Sequence, residues 1–248
     1  MKKLLLSALF MASVSLIHAQ SLKDLAKKVK DTSAKISAGK VLNNTSSKGL
    51  TNDDIIKGLR EALNVGANNS TKKLSAADGF FKDAALKILM PEEAKKVEKK
   101  LRALGFGKQV DDAILSMNRA AEDAAKEATP IFLNAIKGIT IQDGIGILKG
   151  NDFAATDYLK SKTAAQLTEA FRPVIEQSLE RVGATKHWNT LFTTYNKMST
   201  EKVNPDLAAY VTEKALTGIF YQVGLEEQKI RKDPVARTSD ILKKVFGS

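Results

Sequence analysis

VDDAILSMNRAAEDAAKEATPIFLNAIKGI, residues 110–139, brings an apolar residue back every three or four positions. Val110, Ala113, Ile114, Met117, Ala120, Ala121, Ala124, Ala128 and Ile131 fall on one stripe at the period of an α-helix, the mark of a buried helix face. Five of those nine residues are alanine, and small side chains let neighbouring helices approach closely. The stretch is therefore expected to be one long central helix inside a bundle. Pro130 has no N–H to donate to Lys126, so a kink is expected there. Asn118 and Glu122 border the stripe, and Arg119 falls on the far face with Asp112 and Asp123. Two readings of these polar residues stand: a solvated or helix-bridging row of ion pairs, or a polar network turned into a cavity.

Outward from that rod, helical signals recur and strand signals do not. Thr51 and Asp54 form a capping-box pattern that opens TNDDIIKGLREALNVGANNSTKKL, with Ile55, Leu59, Leu63 and Gly66 on one face. SAADGFF reads as a turn followed by a short apolar helix. Pro91 is placed to start PEEAKKVEKKLRALG, with Ala94, Val97, Leu101 and Leu104 as its buried face and Gly105 as its end. Thr140 and Asp143 open IQDGIGILK, whose two glycines weaken a helix and so call for a packing or binding reason. FAATDYLKS and TAAQLTEAFRPVIEQSLERVG follow, the second kinked at Pro173 and ended by Gly183. TKHWNTLFTTYNKM, a helix opened by Pro205 and broken at Asp233–Pro234, and a terminal DPVARTSDILKKVF complete the chain. ITIQ is too short to build a sheet. The fold class is all-α, a multi-helix bundle around a long central helix with no significant sheet.

Composition divides the 248 residues into three parts. Met1–Ala19 has Lys2 and Lys3, an apolar LLLSALFMASVSLI and a small residue for cleavage, the pattern of a secretory signal peptide. Residues 20–49 are a basic amphipathic segment and a polar linker, and residues 50–248 are the helical domain. Without the leader no run of about 20 apolar residues remains, so no transmembrane span is expected in the mature chain, which is placed in the periplasm or outside the cell. The chain has no cysteine, so no disulfide holds it. Residues 21–110 carry 19 Lys or Arg against 10 Asp or Glu, whereas residues 111–248 carry 18 of each. Outside the cytoplasm a basic face meets anionic lipid or cell-wall polymer, and nucleic acid is not an expected partner. Lys23, Lys27, Lys28, Lys30 and Lys35 surround Leu22, Leu25, Ala26, Val29 and Ile36 and form a candidate basic membrane face.

The segments GLREAL, MNRAAE, IFLNAI, the T-x-x-D-x-x-x-I-L run from Thr140 to Leu148, AATDYL, NPDLAAYVTEKAL and IRKDPVARTSDILKKVF occur in order over roughly residues 50–247. Together they resemble the bacterial exported family catalogued as domain of unknown function 4197. Gly144 stands where that family is expected to have alanine, and one glycine precedes Asn151. The resemblance implies an exported, all-helical domain and supplies no catalytic residue.

Chemistry narrows the function classes further. His187, beside Trp188, lies in no nucleophile-elbow sequence, and zinc lacks the His and Cys ligands it needs. No phosphate- or dinucleotide-binding glycine pattern is present, so no cofactor is expected. Hydrolysis of glycans by paired carboxylates needs only two acids, and Glu122 with Glu226 or Glu227 are the available members. Ion pairs with Arg119, Arg231 or Arg237 compete with that role, and Glu227 and Arg231 are four residues apart on one helix. Asn118, Arg119, Glu122, Glu227, Arg231 and Arg237 make up the candidate polar network. The favoured function is a non-catalytic exported protein that binds an apolar or amphipathic ligand, a lipid or another envelope component between its helices. The alternative is a membrane-surface or anionic-polymer module that uses the lysine-rich first third.

Overall fold

In the computed structural model, which describes residues 50–198, 200 and 202–247, the apolar period becomes nine α-helices and two short 3-10 turns, with no strand among the described residues. The leader, the linker and the lysines at positions 23, 27, 28, 30 and 35 lie outside the described residues.

Helix α1 (Asn52–Leu74) opens on the expected capping box: the Asp54 N–H donates to Thr51 Oγ1 at 3.1 Å, and the Thr51 N–H donates to Asp54 Oδ2 at 3.0 Å. Asp54 also accepts from Lys244 at 2.7 Å, tying the start of the domain to its end. Residues 75–91 do not form the short helix expected after SAADGFF. Side chains of the rod take the backbone groups that a helix there would use.

A 3-10 turn, Glu92–Ala94, leads into α2 (Lys95–Ala103), so Pro91 precedes the helical turns and is not their first residue. Because α2 ends at Ala103 and Gly105 turns the chain at φ 90°, Leu104 leaves the helical face and is 72% exposed, against the expectation that it is buried.

The rod itself is two helices, α3 (Gly107–Ala125) and α4 (Ala128–Lys137), and the break falls at Lys126–Glu127 with no kink at Pro130. The shift has a physical reason: in α4 Pro130 occupies the third position, where a helix has no partner for an N–H, so the missing donor costs nothing. Helix α5 (Ile141–Lys149) keeps its Thr140–Asp143 capping box. The two segments that follow it are one continuous helix, α6 (Ala154–Arg181), with Pro173 inside it. Gly183 at φ 68° turns the chain into α7 (Ala184–Met198). Helix α8 (Leu207–Lys232) is capped by Asp206, which accepts from the Ala209 N–H at 2.9 Å, so it starts two residues beyond Pro205. A second 3-10 turn (Pro234–Ala236) and α9 (Asp240–Phe246) end the domain.

Helices α3, α6 and α8 pack on one another, α1 crosses α8, α4 and α5, and α9 lies on α1. Of the stripe's five alanines, Ala120, Ala121, Ala124 and Ala128 are wholly buried where α3 and α4 meet their neighbours, whereas Ala113 is only half-buried. Two glycines allow closer contacts still. A Cβ on Gly144 would lie 2.6 Å from Ile56 Cδ1, so this glycine has the expected packing reason, whereas a Cβ on Gly146 would meet nothing within 4 Å. A Cβ on Gly218 would lie 2.5 Å from the ring of Phe80, which is fully buried against α8.

Candidate functional site

The six residues of the expected polar network form two clusters, each of which serves backbone groups. In the first, the fully buried Asn118 clamps an extended residue: its Oδ1 accepts from the Ile88 N–H and its Nδ2 donates to the Ile88 carbonyl, both at 2.8 Å. One turn on, Glu122 Oε1 accepts from the N–H groups of Phe80 and Phe81 at 3.0 and 3.2 Å. Its Oε2 accepts from Arg119 Nη1 at 2.6 Å, and Arg119 Nη2 reaches Asp78 Oδ1 at 2.6 Å. Asp78 takes positive φ, and Lys82 and Arg119 hold its carboxyl below the usual range. Arg119 therefore leaves the row it was expected to share with Asp112 and Asp123. Asp112 pairs with Lys108, and Asp123 pairs with Lys126 and Arg181. Neither a wet row nor a cavity lining describes this cluster. It is a clamp on residues 78–88.

In the second cluster Glu227 faces the start of α6. It accepts from the Ala155 and Thr156 N–H groups at 3.0 and 2.8 Å and from Thr156 Oγ1 at 2.7 Å, a carboxylate at the positive end of a helix. Arg231 joins it at 2.9 Å and also donates to the Ile147 carbonyl at the end of α5. Arg237, expected to pair with an acid, instead donates to the carbonyls of Ile230 and Arg231 and so closes the C-terminal end of α8. Glu226 is held by Asn69 and Lys229. Both oxygens of Glu122 and both of Glu227 are thus already engaged.

The open site lies elsewhere. A cavity of about 420 Å³ sits between α2 and α3 on one side and α7 on the other, with the end of α6 and the start of α8 closing it. Buried Val110, Met117, Trp188, Phe192 and Leu207 form its floor, and Met90, Val97, Leu101 and Ala113 its walls. Phe106 and Val182 stand at its edge, 46% and 60% exposed. The Trp188 indole packs at a tilt against Phe192, ring centroids 4.3 Å apart, and donates to the Asn204 carbonyl at 3.3 Å, which fixes the ring in the floor. Glu98, Gln109, Asp112, Ser116 and His187 supply the few polar groups. Sequence reasoning read Val110, Ala113 and Met117, and Ala94, Val97 and Leu101, as buried helix faces, but missed that they meet residues of α6, α7 and α8 around an open space, because no single period spans five helices. The available signal was the pair of large apolar residues at helix ends, Phe106 and Val182, beside the turn-making Gly105 and Gly183.

A second cavity, of about 450 Å³, lies between residues 85–95 and α8. There Tyr210 donates to the Leu89 carbonyl at 2.8 Å, and burial, with Glu93, Glu213 and Glu92 nearby, pushes its hydroxyl up to about 12. Among the described residues no group of three or more His, Cys, Asp or Glu side chains is placed to hold a metal ion, and no single helix is long and apolar enough to cross a membrane.

The architecture defines an all-α protein in which buried Glu122 and Glu227 hold backbone groups and the cleft between α2, α3 and α7 is lined mainly by apolar side chains. The family described as Protein of unknown function (DUF4197) matches residues 49–247, and the chain belongs to that family. No curated protein and no solved structure matches it.

Proposed function

We propose that this chain is an exported, non-catalytic protein that holds an apolar or amphipathic small molecule, of the kind an envelope lipid provides, in the cleft between α2, α3 and α7. The observation that carries the reading is the cleft itself. Its volume of about 420 Å³ falls within the roughly 300–1,000 Å³ of ligand pockets, and its lining is apolar with a few polar groups at the edge. Met90 and Met117 in that lining are flexible and polarisable, which suits an aliphatic ligand of variable shape. The engagement of Glu122 and Glu227 by backbone N–H groups supports a structural role for both acids.

Trp188, the single tryptophan, lines the cleft and makes it self-reporting. Titration with the neutral fluorophore N-phenyl-1-naphthylamine should give saturable energy transfer from Trp188, and aliphatic lipids extracted from the producing cell should displace the probe. Ala113→Phe, which fills the cleft from α3, should abolish the signal while helix content is unchanged. Binding that is unaffected by Ala113→Phe, or no saturable binding, would overturn the proposal.

A further inference from the structure

Resting on the reading of the cleft as the binding site, we infer that α2 is a lid, latched to α3 by Arg102 and hinged at Gly105 and at the extended residues Leu89–Pro91. Among the walls of the cleft, α2 is held lightly. Of its nine residues only Val97 is buried, and its principal helical contact is α3. The strip it turns inward, Val97 and Leu101, is the cleft wall.

Both ends of α2 suit a moving element. At one end Gly105 holds φ 90° with nothing within 4 Å of where a Cβ would stand, so the turn is free to change without a steric penalty. At the other end Leu89–Pro91 carries no regular structure. Leu104 and Phe106 flank the glycine and are exposed in the closed arrangement.

Among the described residues, Arg102 bridges lid and floor. Arg102 donates to Glu98 within α2 at 2.9 Å and to Asp111 of α3 at 2.8 Å. The side chains of Arg102 and Asp111 are 38% and 66% exposed, so the latch is accessible to salt and weak by construction. Closure comes from reburying Val97 and Leu101, and the latch sets how often the lid opens.

A lid and a passive wall predict different kinetics. If the ligand enters only through the open form, weakening the latch raises the association and dissociation rates by one factor and leaves Kd unchanged. Stopped-flow binding of N-phenyl-1-naphthylamine to the purified protein, followed by Trp188 fluorescence, reads this. Arg102→Ala and Asp111→Asn should each raise both rates about two- to fivefold, the range of an exposed ion pair. Arg102→Lys should restore the parental rates, and Arg102→Ala should remove their salt dependence. A rise in the dissociation rate alone, or unchanged rates, overturns the lid.

Hydrogen exchange separates failure of the lid from failure of the binding site. Whether or not the probe binds, the amides of Val97–Ala103 should exchange about tenfold faster than those of Ile114–Ala121, and faster again in Arg102→Ala while α3 is unchanged. Equal protection of α2 and α3 would refute the lid on its own.

Discussion

Glu122 offers a direct test of the claim that the buried polar residues of α3 hold the backbone of residues 78–88. The carboxylate is nearly inaccessible and accepts three bonds, from the Phe80 N–H, the Phe81 N–H and Arg119. Glu122→Ala removes all three acceptor contacts at once. The Phe80 N–H is buried and would be left unpaired, at a cost of about 1–3 kcal/mol. The Phe81 N–H is only partly buried, so water replaces part of its bond, and Arg119 keeps Asp78, which limits the loss of the ion pair to about 0.5–1 kcal/mol. The expected destabilisation is about 2–4 kcal/mol.

Glu122→Gln separates the two contributions. It keeps an acceptor for Phe80 and Phe81 but turns an NH₂ group toward Arg119, and should cost about 1–2 kcal/mol. Arg119→Ala leaves the carboxylate with its two amide donors and should also cost about 1–2 kcal/mol, because the guanidinium is 40% exposed. Urea unfolding followed by circular dichroism measures the series. Limited trypsin digestion adds a local reading, since cleavage at Lys82 and Lys87 should accelerate in the order Arg119→Ala, Glu122→Gln, Glu122→Ala. An alanine variant within about 0.5 kcal/mol of the parent, or one no worse than the glutamine variant, would refute the backbone-clamp argument.

Other consequences are checked by the same unfolding assay or by mass. Ala121→Leu and Ala124→Leu, at fully buried positions, should each cost about 1–3 kcal/mol by overpacking, and tolerance of both would move α3 to the edge of the bundle. Gly218→Ala would push a Cβ into the buried Phe80 ring and should cost a similar amount, about 1–3 kcal/mol, despite the gain in helix propensity. Tyr210 has its folded pKa raised to about 12, so the stability it contributes is complete below the ordinary tyrosine value and is lost as pH rises through about 12; Tyr210→Phe should flatten the decline above pH 10. Asp78, Asp83, Asp143 and Asp206 have folded values below the ordinary one, so their contribution is present above about pH 4 and lost as pH falls through those lower values, which a melting series from pH 6 to 2 reads. The proposed export predicts a mature chain that begins at Gln20 or Ser21 by intact mass, and retention of Met1 would count against the leader.

What the sequence made legible was whatever one helix states about itself. The capping boxes at Thr51–Asp54 and Thr140–Asp143 are local patterns, and both form as read. The alanine stripe is local too, and it is buried except at Ala113, which faces the cleft. Pro130 misled because a proline inside an apolar run predicts a bend at one place, whereas a break upstream at Lys126–Glu127 puts Pro130 in the first turn of α4, where no N–H is called on. Asn118, Glu122 and Glu227 were found as candidates on helical position, and the local pairs Arg119–Glu122 and Glu227–Arg231 form as read, but the distant backbone groups they hold lie 30 to 72 residues away along the chain. No periodicity encodes such a pairing. The cleft was beyond reach for the same reason, being assembled from faces of separate helices that only the tertiary packing brings together.

The clamp and the cleft are joined through a short path of covalent and hydrogen bonds. Asn118 fixes the N–H and the carbonyl of Ile88, two residues on Met90 lines the cleft, and directly after it Pro91 and the 3-10 turn carry α2. Helix α3 thus supplies the floor of the cleft through Val110 and Met117 and, from Asn118, anchors the segment from which α2 hangs. An apolar side chain at position 118 would fill the same volume, but it would leave the Ile88 N–H and carbonyl unpaired and the register of Leu89–Pro91 unspecified. A buried amide bound to both groups of one residue defines where the irregular segment stops. That is a requirement of a mobile α2 more than of a stable bundle, since a helix that moves needs one end of its tether fixed to the part that does not.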